Sequence, residues 1–128
     1  MMKFTVEEEM GIFMARFFVE TNLGIFEEYL QYLTKYDLSG NIKIFHDHRQ
    51  SIAVLKPAEI ESLVNLFRQY LSEANEIKIA YVSDAPKGIA LAMLFKDQMM
   101  AANFQIEFFS EEESALIWLN LLSPNLMI

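Results

Sequence analysis

From Ile42 onward the chain alternates short runs of β-branched and aromatic residues with longer stretches of helical periodicity, and that alternation leaves few folds open. Ile42 to His48 (IKIFHDH), Ile77 to Ser83 (IKIAYVS) and Phe104 to Phe109 read as strands. Between them, Pro57 suits the first turn of a helix running to about Ala74, with Ile60, Leu63, Val64, Phe67 and Leu71 as its apolar stripe. Asp84 and Pro86 open another helix, ending near Ala102, where Asn103 can adopt the left-handed conformation. Upstream, Lys3 to Glu8 and Ile12 to Val19 read as an antiparallel strand pair turned by Glu9, Met10 and Gly11. Thr21 or Asn22 can cap a helix to about Tyr36, and Leu38 to Asn41 is turn chemistry. Ser110 and Glu113 have capping-box spacing ahead of a last helix carrying Ala115, Leu116, Trp118, Leu119 and Leu122, with Trp118 expected in the core. The order β-β-α-β-α-β-α-β-α predicts an α/β fold on a five-stranded, mostly parallel sheet, one domain over residues 1–128.

The 128 residues suffice for an ordinary core, since a chain near this length buries roughly 68% of its unfolded surface. Four Gly and three Pro among 53% hydrophobic residues exclude a disordered or collagen-like chain. No Cys is present, which removes disulfides, thiolate metal sites and a Cys nucleophile, and fits a reducing, cytoplasmic setting. Neither a signal-peptide pattern nor a long uncharged apolar run is apparent. Ten basic residues scattered among eighteen acidic ones, a net charge of −8, do not make the clustered cationic surface that nucleic acid or an anionic membrane requires.

Candidate chemistry is sparse. His46 and His48 lie two apart on a strand and face one side, enough for two metal ligands but not for a complete site, so no metal or cofactor is expected. Asp47 and Arg49 project to the other side, at a strand end where α/β proteins often bind ligands. Asp47 there is a base if burial raises its pKa, and otherwise half of an ion pair with Arg49. Asp84, Lys87 and Gly88 stand at a strand-to-helix junction that can hold an anion, although no glycine-rich phosphate motif accompanies them. Close helix–strand packing is the plainer reading of Gly88. The glutamates at 111–113 read as charges at a helix N-terminus.

The helix from Pro86 to Ala102 is apolar around most of its circumference. Leu91, Leu94, Phe95 and Gln98 share one side, and Ile89, Met93 and Met100 fall on another. Such a helix is either enclosed or covered by a partner, and the second alternative predicts a homodimer through Ile89, Met93 and Met100, joined by the apolar tail Leu126-Met127-Ile128.

The stretch IKIAYVS, Gly88-Ile89-Ala90, Phe108-Phe109, Ala115-x-x-Trp118-Leu119 and Asp47-x-Arg49 together resemble the SpoIIAA-like, STAS-like family of uncharacterised bacterial proteins. The resemblance implies the fold shared by anti-sigma-factor antagonists and lipid-binding CRAL-TRIO domains. That fold is a right-handed β-α superhelix with helices mainly on one face. It also implies a role in protein–protein regulation. The antagonists carry a phosphorylatable serine opening the helix after the third strand. Here that junction reads Val54-Leu55-Lys56-Pro57-Ala58-Glu59, without serine; Ser39 and Ser51 lie too early. The expectation is a non-enzymatic, homodimeric interaction module with an unidentified protein partner. A small apolar-ligand or lipid-binding domain and an enzyme using Asp47, His46 or His48 are the alternatives.

Overall fold

Two left-handed residues start the sheet. Met10 (φ 50°) and Gly11 (φ 82°) form a two-residue turn whose twist suits a hairpin, and it joins β1 (Phe4–Glu9) to β2 (Ile12–Phe17) with Glu9 opposite Ile12. In the computed structural model, which describes residues 2–99 and 101–119, β1 and β2 continue into β3 (Gly40–Asp47), β4 (Ala74–Val82) and β5 (Phe104–Phe109). Spatial order equals chain order, β1-β2-β3-β4-β5, with β1–β2 antiparallel and every other pair parallel. This is the α/β architecture expected from the alternation. None of the described helices is long and apolar enough to cross a membrane.

Strand alternation divides the core in two. Phe13, Ala15, Phe17, Ile44, Ile79 and Ile106 point to the face covered by α1 (Leu23–Leu33), α2 (Ile60–Tyr70) and α3 (Pro86–Met99). These helices lie side by side, α2 in the middle. Ile12, Met14, Phe45, Ala80 and Val82 point to the other face, where α4 (Glu112–Trp118) brings Ala115 and Leu116. Three of the four described helices thus share one face.

Several boundaries differ from the sequence reading, each for a local reason. Asn22 caps α1 as expected, its Oδ1 accepting from the Ile25 N–H at 2.9 Å. The helix nevertheless ends at Leu33, because Thr34, Lys35 and Tyr36 donate to carbonyls three residues back and tighten the chain out of α geometry. Pro57–Glu59 form a 3-10 turn before α2, and α2 ends at Tyr70 since Ala74 already begins β4. Helix α3 stops at Met99, where Arg68 donates to the Gln98 and Met99 carbonyls. Ser110 does not cap α4: Glu111 holds that position, with no side-chain cap bond. Trp118 is half-buried rather than enclosed, packed on the edge of the second core. Leu94, grouped with Leu91 and Phe95 by helical spacing, is 39% exposed while those two are buried. Met100, Leu122 and Leu126-Met127-Ile128 lie outside the described residues.

Candidate functional site

At the carboxyl ends of the strands, on the α4 face, four charged side chains meet. Arg16 sits near the end of β2 and pairs in register with Asp47, the last residue of β3. Its Nη1 donates to Asp47 Oδ2 at 2.6 Å and to Glu112 Oε1 at 3.0 Å, while the guanidinium lies over the Phe45 ring. Arg49 clamps the same carboxylate with two parallel bonds, Nε to Oδ1 and Nη2 to Oδ2, both 2.9 Å. Its backbone N–H also donates to Oδ1, and Nη2 reaches Glu112 at 2.9 Å. Two cations therefore meet two anions, each touching both opposite charges.

Asp47 is consequently an ion-pair partner. Partial burial alone pushes its carboxyl up, but hydrogen bonds from Arg49 and Arg16 outweigh that and hold it at about 2. An aspartate so strongly ionised is a poor proton acceptor near neutrality, so the general-base reading finds no support here. Glu112 is likewise held below the usual carboxylate range, first by Arg16 and then by Arg49. Arg16 and Glu112 were not singled out by sequence reasoning. In the sequence Arg16 is a lone cation in an apolar strand and Glu112 one of three successive glutamates, and their contact spans 96 positions of chain.

Asp84 and Lys87 do not join this cluster. Both are exposed at the opening of α3 and form no ion pair among the described residues. The junction is stabilised by the buried Ser83, whose Oγ accepts from the Ala85 N–H at 3.1 Å. Gly88 is buried against β4. A Cβ there would stand 3.1 Å from the Tyr81 hydroxyl, so its role is close approach of helix and strand.

The two histidines face the three-helix side. His46 Nε2 and the Tyr29 hydroxyl share a hydrogen bond of 2.7 Å with both residues buried. His48 is stacked between Phe17 and Tyr81, ring centroids 4.5 Å away on each side, and its Nδ1 bonds Ser51 Oγ at 3.2 Å. His48 Nε2 and Thr21 Oγ1 are buried and make no hydrogen bond among the described residues. Burial drives both imidazoles toward the neutral form, His46 well below its ordinary pKa with help from His48, and His48 to about 3 despite the nearby Asp47. Among the described residues, no three His, Cys, Asp or Glu side chains are grouped to hold a metal ion.

Beside His46 lies a cavity of about 40 Å³ lined chiefly by apolar groups, among them Phe26, Phe67, Phe95 and Gly88, with Tyr81 at its wall. That is room for a few waters, each needing roughly 10–15 Å³, and far below the roughly 300–1,000 Å³ of a pocket for a drug-sized ligand, let alone a lipid. No model of a known protein family matches the chain, and no curated protein is detectably similar to it.

Proposed function

We propose that this protein is a non-enzymatic interaction module of the SpoIIAA-like, STAS-like type that acts as a homodimer. The observation that carries the reading is the division of α3. Its inner side, Gly88, Leu91, Ala92, Phe95 and Met99, is buried, while Met93 (52%) and Leu94 (39%) stand in solvent and Ile89 is half-buried. Exposed apolar area of this kind forfeits about 25 cal/mol per Å² that a partner could recover, and flexible Met suits such a contact.

Two further observations support it. The charged groups at the strand ends neutralise one another, leaving no unpaired charge in that cluster for a substrate. The turn opening α2 offers no hydroxyl for phosphorylation: Lys56 precedes Pro57, and its N–H donates to Glu59. Ser39 Oγ is bonded to Asp37, and Ser51 to His48. Sedimentation equilibrium at micromolar concentration is expected to give twice the chain mass, and Met93→Glu a folded monomer. A wild-type monomer overturns the reading.

A further inference from the structure

Strand β5 is one edge of the sheet, and among the described residues nothing pairs with its outer side. A groove of about 490 Å³ runs along it, lined by Phe104, Gln105, Ile106 and Glu107 and flanked by Lys96 of α3 and Trp118 of α4. The other edge, β1, ends in Glu7, Glu8 and Glu9, all exposed; a run of like charge is a common guard against edge pairing. On β5 the single charge, Glu107, is met by Lys96 of its own chain at 3.3 Å, so this edge carries no net charge.

Helix α3 connects the edge to the exposed apolar side chains. Ile89, Met93 and Lys96 are spaced i, i+4, i+7 and share one helix face. The structure places Lys96 against Glu107 and over the Phe108 ring, 5.6 Å from its centroid. Hence the face bearing Ile89 and Met93 is the one that borders the β5 edge.

We infer that a second copy of this chain pairs along β5, antiparallel, joining two five-stranded sheets into one. This rests on the homodimer reading and specifies its seam. A two-fold axis perpendicular to the sheet brings like faces together, so α3 meets α3 across the seam. Backbone geometry selects the register. Asn103 and Phe109 direct their carbonyls to β4, so by alternation Phe104, Ile106 and Phe108 direct theirs outward. The Phe104 N–H is already taken by Ala101, so among the described residues the outward donors without a partner are the Ile106 and Phe108 N–H groups. With Ile106 opposite Ile106 of the second copy, both donors find carbonyls: Ile106 reaches Ile106, and Phe108 reaches Phe104. Gln105 then faces Glu107 of the second copy. A shift that also satisfies both donors sets Glu107 against Glu107, a like-charge contact that destabilises a strand pair.

The exposed Gln105 gives the test. Gln105→Lys is expected to tighten the dimer and Gln105→Glu to loosen it, each by roughly 2- to 30-fold in dissociation constant, the range that two cross-strand charge contacts supply. Amide exchange at Ile106 and Phe108 is expected to slow as protein concentration rises. A dimer broken by Met93→Glu but indifferent to both Gln105 changes, with exchange independent of concentration, overturns the β5 seam alone. A wild-type monomer overturns the dimer and the seam together.

Discussion

Tyr29 and His46 illustrate how a polar pair can be enclosed in an aromatic core. Phe17 and Phe67 pack edge-on to the imidazole, and Phe4 and Phe17 to the phenol, so the two polar groups are walled by rings and bond each other. Removing one partner of a buried bond costs more than the bond contributes, because the remaining group keeps its desolvation penalty. Tyr29→Phe keeps the ring and deletes the hydroxyl; it is expected to lower stability by about 1–3 kcal/mol, measured by urea unfolding. An unchanged midpoint would mean that His46 Nε2 is satisfied some other way. The spacing of His46 and His48 on one side of a strand was legible in the sequence, as was the opposite projection of Asp47 and Arg49. Tyr29 as the acceptor or donor for His46 was not: it sits 17 positions away on a helix, where it reads as one more member of an apolar stripe.

At the level of elements, α4 is the least enclosed helix of the four described, and two contacts fasten it. Glu112 ties its first turn to Arg16 and Arg49. At its other end the Lys78 ammonium lies 4.4 Å from the Trp118 ring centroid and donates to the Trp118 carbonyl at 3.0 Å, while the ring leans on Phe109. Truncating a fully enclosed aromatic costs roughly 3–5 kcal/mol; half-burial brings Trp118→Ala nearer about 2 kcal/mol. A thermal scan checks this, and a loss below about 0.5 kcal/mol, the size of an ordinary surface change, shows the helix held without the ring. The sequence announced every element, because period and punctuation are local properties: Asn22 before an apolar stripe, Pro86 after a strand, Met10-Gly11 between two strands. It misplaced the start of α4 because Ser110 and Glu113 satisfy the spacing of a capping box, while Glu112 answers to arginines far along the chain. It misjudged Trp118 because burial depends on what lies opposite, which periodicity does not encode.

Across the whole molecule, the two histidines set an acid limit. Both have folded pKa values below the ordinary 6.5, His48 at about 3. Their contribution is complete above the unfolded pKa and is lost as pH falls from there toward the folded value, since the unfolded chain then binds protons the folded chain refuses. Between about pH 7.5 and pH 5.5 the pair removes on the order of 3 kcal/mol, or about 10 °C in Tm. The chain has only these two histidines, and Asp47, with its depressed pKa, adds its own loss only in stronger acid. A Tm constant over that span would show the imidazoles to be free to protonate in the folded state. The identity of spatial and chain order in the sheet has a consequence for synthesis. As the polypeptide leaves the ribosome, each new strand finds its neighbour already made, and no strand waits for a distant one, the feature that slows many sheet proteins. The second face is the exception. Ile12, Met14, Phe45, Ala80 and Val82 are translated well before Ala115 and Leu116 arrive to cover them, so the nascent protein carries a sticky, half-dressed sheet until α4 emerges, and that interval is when a chaperone would meet it.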